Sequence, residues 1–127
     1  MTDPAAATRP RISLDMVALD TPHPAGLARF YTALLGWEVE RVDEDWVTIG
    51  AGSGPRLAFQ LAPDHRPPTW PDETVPQQLH LDLAVDDLAA AAAYAESLGA
   101  ERLTGLEAPE GFVVFRDPSG HPFCLCR

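Results

Sequence analysis

Residues 79–88 read Leu-His-Leu-Asp-Leu-Ala-Val-Asp-Asp-Leu, and this stretch decides the fold. Its apolar side chains alternate with His80, Asp82 and Ala84, which predicts a strand with one buried face and one open face. The leucine face requires a covering element, and the amphipathic helix that follows supplies it. An imidazole and a carboxylate therefore lie side by side on the open face, where they form the floor of a candidate pocket.

The chain contains this arrangement twice. Leu35-Gly36 and Leu98-Gly99 end two predicted helices and are offset by 63 positions, as are Tyr31 and Tyr94. Glycine directly after the last apolar residue is typical of a helix C-terminus. The repetition predicts a duplicated βαβββ unit. Strands are predicted over residues 12–20, 37–42, 46–49, 56–62, 79–85, 100–106, 112–116 and 122–126, and helices over residues 24–35 and 87–98.

The same repetition predicts how the chain is organised. We expect a disordered tail over residues 1–11, a first module over 12–62, a proline-rich linker over 63–78 and a second module over 79–127, in one compact domain. The linker contains five prolines, which exclude regular structure. It also contains Trp70, a large apolar residue that a solvated linker does not need. The linker is therefore either a plain connection or a lid.

Composition excludes several classes of partner. The chain has 127 residues, with nine basic against nineteen acidic ones, for a formal net charge of −10. Such a surface repels nucleic acids and anionic membranes, and no apolar run is long enough to cross a bilayer. Cys124 and Cys126 lie two residues apart on one strand, where a disulfide would be strained. We therefore expect a reduced, cytoplasmic protein without a signal peptide.

In three segments the chain resembles the vicinal oxygen chelate superfamily, which includes glyoxalases, bleomycin-resistance proteins and extradiol dioxygenases. The segments are Phe30-Tyr31 with Leu34-Leu35-Gly36-Trp37, the 79–88 stretch, and Asp117-Pro118-Ser119-Gly120-His121-Pro122-Phe123. The chain resembles the glyoxalase-like domain branch in particular, as the segment Pro68-Thr69-Trp70-Pro71 also indicates. The resemblance covers residues 12–126. It implies an α+β fold of two tandem βαβββ modules, whose mixed sheet curves into a cup with the helices outside, and it implies a homodimer.

The resemblance also implies positions for a metal. In metal-dependent members, inward-pointing His or Glu side chains on the first and last strand of each module hold a divalent ion, and these positions fall at Met16, Gln60, His80 and Cys124. Only His80 is a residue type of the family pattern. We therefore expect no metal in the usual site. The alternatives are one divalent ion held by His80, Gln60 and Cys124, or a zinc ion held by His80, Cys124 and Cys126.

Several side chains are expected to line the cup. Asp82 either orients His80 as a general base, or His80 is a pocket histidine that hydrogen-bonds a ligand. Arg56 either pairs with Asp82 or an anionic ligand, or forms an ion pair at the rim. His65 lies in a predicted loop and receives no role, and His121 is interpreted as a turn residue. The ligand-binding candidates are Met16, Ala18, Trp46, Arg56, Ala58, Gln60, Trp70, His80, Asp82 and Cys124.

These observations predict a small-molecule-binding protein of the bleomycin-resistance kind, which sequesters an organic ligand without the usual metal. Small residues at Ala18, Ala58 and Ala84 leave room for such a ligand. One alternative is a metal-dependent lyase, isomerase or dioxygenase with an altered site around His80. Another is an interaction domain whose cup is filled by its own side chains. Whether the protein is an enzyme, and which molecule it binds, stays open at this point.

Overall fold

Each half of the chain folds into a strand, a helix and three further strands. The computed structural model describes residues 9–108 and 111–127. The first half consists of β1 (Met16–Thr21), α1 (Pro24–Leu35), β2 (Glu38–Val42), β3 (Trp46–Gly50) and β4 (Arg56–Leu61). The second half consists of β5 (Leu81–Ala84), α2 (Leu88–Ser97), β6 (Glu101–Ala108), β7 (Phe112–Arg116) and β8 (Pro122–Cys126).

The two halves form separate four-stranded sheets of the same topology. The strand orders are β1-β4-β3-β2 and β5-β8-β7-β6. In each sheet the first strand pairs in parallel with the last strand of its module, and the other pairings are antiparallel. The predicted α+β fold of two tandem βαβββ modules is confirmed. Neither described helix has the length and hydrophobicity needed to span a bilayer.

Two strands differ from their predicted bounds. β1 begins at Met16 rather than at residue 12, and Ile12 and Leu14 are 80% and 66% exposed. Alternation alone predicts a strand there, but β1 has only β4 as a partner, and Met16 lies opposite Arg56, the first residue of β4. Residues before Met16 have no β4 residue to face. β5 is similarly shorter than predicted, with four residues against seven. The tail predicted over residues 1–11 lies mostly outside the described residues.

Local sequence explains the ends of both helices. Pro24 occupies the first turn of α1, where its missing N–H costs nothing. Gly36 ends α1 with φ of 69°, a left-handed conformation that glycine adopts without steric strain. Asp87 caps α2, because its Oδ1 accepts a hydrogen bond of 3.0 Å from the backbone N–H of Ala90.

One continuous core contains side chains of both modules. Tyr31 of α1 stacks on Phe59 of the first sheet with ring centroids 5.6 Å apart. Phe30, its neighbour on α1, meets Phe123 of the second sheet with centroids 5.9 Å apart. Phe123 in turn stacks on Phe115 at 5.4 Å. Helix α1 therefore contacts the buried faces of both sheets, and the opposite, open faces are left for a site.

A buried polar contact joins the modules beside this aromatic cluster. The hydroxyl of Tyr31 donates to Oδ2 of Asp117 at 2.6 Å, while Oδ1 of Asp117 accepts from the backbone N–H groups of Ser119 and His121. Burial raises the pKa of Asp117, and the three hydrogen bonds oppose that rise. Three donors and no acceptor surround this carboxyl group, an arrangement that fits its ionised form.

Candidate functional site

The open face of the first sheet contains six of the predicted site residues. The strand register places Met16 opposite Arg56, Ala18 opposite Ala58, and Trp46 opposite Gln60. Because β-strand side chains alternate between faces, all six point to the same side of this sheet. This grouping follows from strand pairing, which the sequence alone does not specify.

This open face is filled in the middle and accessible at its edge. Ala58 and Thr48 are buried, and the indole N–H of Trp46 donates to Oγ1 of Thr48 at 2.9 Å. Ala18, on the edge strand β1, and Gln60 are exposed. Space for a ligand on this sheet therefore lies beside Ala18 rather than over Ala58.

Arg56 forms an ion-pair network at the rim of the first sheet. Its Nη2 lies 2.5 Å from Oδ1 of Asp15, and its Nη1 lies 3.4 Å from Oε1 of Glu40. None of the ion pairs among the described residues joins Arg56 to Asp82. Exposed pairs of this kind contribute little to stability. Of the two roles considered for Arg56, the geometry therefore matches the rim ion pair.

The open face of the second sheet brings His80, Asp82 and Cys124 together. Asp82 lies directly opposite Cys124 in the parallel pairing of β5 with β8. Nε2 of His80 is 3.3 Å from Oδ1 of Asp82. One donor atom from each of the three residues lies within 4.8 Å of the others. We call these three residues the β5–β8 cluster.

The thiols of this face are weakly acidic. Burial, with the nearby Asp82 carboxylate as a smaller cause, raises the pKa of Cys124 to about 11. Burial and Asp82 also raise the pKa of Cys126. Both thiols are therefore protonated at neutral pH, which makes neither of them a ready nucleophile.

The residues at the positions that the resemblance implies do not fit the superfamily's two-module metal ion. Met16 offers a thioether, Gln60 a neutral amide and Cys124 a thiol, where the pattern has imidazole and carboxylate ligands. None of the hydrogen bonds and ion pairs among the described residues links Met16 or Gln60 to His80 or Cys124. No catalytic step through such an ion follows from this donor set.

The linker contacts the second module on the open side of its sheet. Nη2 of Arg116 donates to the carbonyl oxygen of Trp70 at 3.4 Å. Arg116 points to the same side as Cys124, since Val114 of β7 lies opposite Cys124 and Arg116 follows two residues later. A side chain at Gly120 would lie within 2.5 Å of the Pro67 ring. The linker therefore packs against Arg116 and Gly120 of the second module, and its predicted role as a lid stays a prediction.

A cavity of about 240 Å³ lies between this linker and the edge of the first sheet. Ala18 and Asp20 of β1 line one side, and His65 and His121 are also part of the lining. Neither histidine was assigned to a site from the sequence. They lie 56 positions apart, and no local pattern indicates that their rings meet, tilted by 31°, with centroids 4.8 Å apart.

Both imidazole rings have a defined orientation. Nε2 of His65 is 3.0 Å from the carbonyl oxygen of Ser119, and Nε2 of His121 is 2.6 Å from the carbonyl oxygen of Asp20. A carbonyl oxygen only accepts hydrogen bonds, so each Nε2 carries the proton. Neither Nδ1 atom has a partner among the described residues, and neither is a buried unpartnered atom. Each Nδ1 is therefore open to a ligand or to water.

Comparison with known proteins places the chain in a family. The sequence profile described as Glyoxalase-like domain matches residues 16–126, which span both modules. The chain therefore belongs to the glyoxalase-like domain family, and its resemblance to the vicinal oxygen chelate superfamily is confirmed. A search of curated proteins found no match.

Solved structures share the fold at low sequence identity. A glyoxalase/bleomycin resistance protein/dioxygenase family enzyme from Burkholderia phytofirmans PsJN is 17% identical, with a TM-score of 0.69 over 90% of this chain and 97% of that one. TnmS3, an antibiotic-binding protein from Streptomyces sp. CB03234, is 18% identical, with a TM-score of 0.62 over 91% and 95%. A glyoxalase-related enzyme from Fulvimarina pelagi is 21% identical, with a TM-score of 0.67 over 90% and 86%. The matched fold thus occurs in both enzymes and binding proteins.

Proposed function

We propose that this protein binds a small organic molecule, as bleomycin-resistance-like proteins do, without the two-module metal ion of its enzymatic relatives. The observation that carries the proposal is the cavity of about 240 Å³ beside Ala18. One strand of the open sheet face bounds it on one side and the proline-rich linker on the other. A cavity with apolar walls and a few oriented polar groups is the usual form of a small-molecule site.

The lining suggests which part of a ligand the cavity accepts. Leu79, Val75 and Pro68 supply apolar surface, and the imidazole rings of His65 and His121 supply polar groups. The volume suits a ring with one or two polar substituents rather than a whole drug-sized molecule. We propose that one ring of an aromatic ligand enters the cavity while the rest lies along the exposed face near Gln60. The antibiotic-binding protein TnmS3 has the same fold, which supports a ligand of this class.

A bulky side chain at Ala18 tests the proposal. Ala18 is exposed on β1 and lines the cavity, so Ala18→Trp should fill the site without disturbing the core. Ala89→Trp, at an exposed position of α2, is the matched control. Bleomycin and a panel of aromatic antibiotics are tested by the rise in melting temperature, because a ligand at one hundred times its Kd stabilises the folded state by about 2.7 kcal/mol.

The two variants should respond differently to any compound that stabilises the wild type. We expect the rise in melting temperature to disappear in Ala18→Trp and to persist in Ala89→Trp. An equal response of both variants would show that the compound binds elsewhere, and a panel with no response would contradict the assignment to antibiotic-like ligands.

A metal-dependent lyase, isomerase or dioxygenase is the second candidate. The β5–β8 cluster favours it, because Asp82 lies within 3.3 Å of His80 and can hold its ring in one orientation.

We also propose a homodimer and a cytoplasmic location. The homodimer is supported by the edge strand β2, which exposes 49% of Val39 and 67% of Val42. The cytoplasmic location is supported by the two cysteines, which are both free thiols.

A further inference from the structure

Three kinds of metal-binding atom meet in the β5–β8 cluster. An imidazole nitrogen of His80, a carboxylate oxygen of Asp82 and the sulfur of Cys124 lie within 4.8 Å of one another. Strand pairing places Asp82 opposite Cys124, and His80, directly before β5, has its Nε2 3.3 Å from Oδ1 of Asp82. A site built on paired strands is more precise than one built on loops.

The charges around the cluster also favour a cation. The chain contains no lysine, and its formal net charge is −10. Asp82 lies directly opposite Cys124 in the pairing of β5 with β8. Among residues 9–108 and 111–127, its one ion-pair partner is His80. No arginine side chain in that part of the structure pairs with this carboxylate, so it is available to a metal ion.

We propose that His80, Asp82 and Cys124 bind one zinc-class divalent ion within the second module alone. Zn²⁺ takes nitrogen, oxygen and thiolate ligands, whereas Mg²⁺ and Ca²⁺ avoid sulfur. As the metal–sulfur bond forms, the thiol proton passes to solvent. The His80 and Asp82 side chains are 44% and 63% exposed, so the fourth coordination position faces water.

This site differs from the one that the superfamily resemblance implies. That arrangement uses four positions on two modules, including Met16 and Gln60 of the first sheet. The proposed site uses neither of them, and it recruits Asp82, which is not one of the four positions. The proposed site keeps His80 and Cys124 of the four positions and replaces the two first-module residues with Asp82, so the mismatch of Met16 and Gln60 does not affect it.

Metal titration of the full chain, purified without chelator and then stripped, tests the proposal. Zn²⁺ binding is followed by calorimetry, and Co²⁺ binding by the near-ultraviolet charge-transfer band of a cobalt–thiolate bond. We expect one ion per chain and a cobalt–thiolate band. His80→Ala, Asp82→Asn and Cys124→Ala should each weaken Zn²⁺ binding by at least about 100-fold, since even outer-shell changes cost 10- to 100-fold. Cys124→Ala should also remove the band.

Two matched variants keep the test decisive. Gln60→Ala should bind Zn²⁺ with wild-type affinity, because Gln60 does not belong to the cluster. Cys126→Ala should keep the cobalt–thiolate band and lose no more than about 10-fold in affinity, because Cys126 is a neighbour of Asp82 and not a proposed ligand. Loss of binding in Cys126→Ala would indicate a site built on the cysteine pair, and loss in Gln60→Ala would indicate the two-module site. Either result overturns the proposal, as does a wild-type protein that binds no metal. Melting curves of the stripped variants exclude unfolding as the cause of any loss.

The proposal stands apart from the proposed binding of an organic molecule. Ligand binding in the cavity beside Ala18 is measured on metal-free protein, and metal binding is measured without an organic ligand. The failure of one measurement therefore leaves the other unaffected.

Discussion

The hydrogen bond between Tyr31 and Asp117 should be one of the strongest single polar contributions to the stability of this fold. Tyr31→Phe removes the hydroxyl that donates to Oδ2 of Asp117 at 2.6 Å. Because Asp117 is buried, its Oδ2 then lacks that hydrogen-bond donor. Hydrogen bonds to charged groups contribute roughly 1.5–3 kcal/mol. We therefore expect a loss of about 2 kcal/mol in the free energy of unfolding.

The expected loss converts to a measurable change in melting temperature. A chain of 127 residues has an unfolding entropy of about 0.27 kcal/mol per degree near 60 °C, so the loss corresponds to roughly 7 °C. Urea unfolding should show the same change in free energy with an unaltered denaturant dependence. Tyr94→Phe is the matched control, because Tyr94 is the repeat-related residue and donates to the carbonyl oxygen of Ala33 at 2.9 Å.

Tyr94 is 48% exposed, so water can replace its hydrogen bond, and Tyr94→Phe should cost less than about 0.5 kcal/mol. A Tyr31→Phe protein within 0.5 kcal/mol of the wild type, or equal losses in the two variants, would refute the reasoning. A double-mutant cycle adds a further check. The Tyr31→Phe penalty should shrink in an Asp117→Asn background, since the buried acceptor is then uncharged.

Four further predictions concern two glycines of the backbone, the N-cap of α2, the Asp117 carboxylate and the oligomeric state. Gly36→Ala should destabilise the protein by about 1 kcal/mol in urea unfolding, because φ of 69° strains a residue with a Cβ atom. Gly26→Ala in α1 should stabilise the protein slightly in the same assay, because the added Cβ atom meets only ordinary contacts. Asp87→Ala should cost about 1 kcal/mol through loss of the N-cap, and Asp87→Asn much less. The folded-state pKa of Asp117 is raised, so its contribution to stability is fully present below the unfolded-state pKa and is lost as pH rises through the folded-state pKa. As pH rises from 4 to 7, the melting temperature of the wild type should therefore fall relative to that of Asp117→Asn. A constant difference between the two melting temperatures would contradict the raised pKa. Light scattering at micromolar concentration should give the mass of a dimer, and a monomer mass would exclude the proposed homodimer.

Periodicity in the sequence predicts most of the fold because burial acts on local patterns. Apolar alternation in the 79–88 stretch and helical spacing before Gly36 each indicate one element, and their repetition indicates the module. The start of β1 could not be predicted in this way. Ile12 and Leu14 continue the alternation, but a strand ends where its partner ends, and the partner of β1 lies some 40 residues further along the chain.

The repeat also conceals differences between its copies. Tyr31 and Tyr94 occupy equivalent positions, yet Tyr31 is fully buried against Phe59 and bonded to Asp117, while Tyr94 is half-exposed. Asp117 reads as an ordinary turn residue in the sequence. Its role depends on α1 lying against the other module, a contact between residues 86 positions apart. Local patterns carry no information at that distance.

The same reasoning explains why the site is harder to predict than the fold. Residues on the buried faces are constrained by packing against α1 and α2, so their apolar pattern follows directly from the architecture. Residues on the open faces have no such constraint, and the architecture tolerates a thioether at Met16 and a thiol at Cys124 as readily as a histidine. The pairing of β5 with β8 then makes neighbours of Asp82 and Cys124, which lie 42 positions apart. The chemistry of this chain therefore depends on the side chains that the fold leaves free, and measurement of what the β5–β8 cluster and the cavity beside Ala18 bind is the direct route to it.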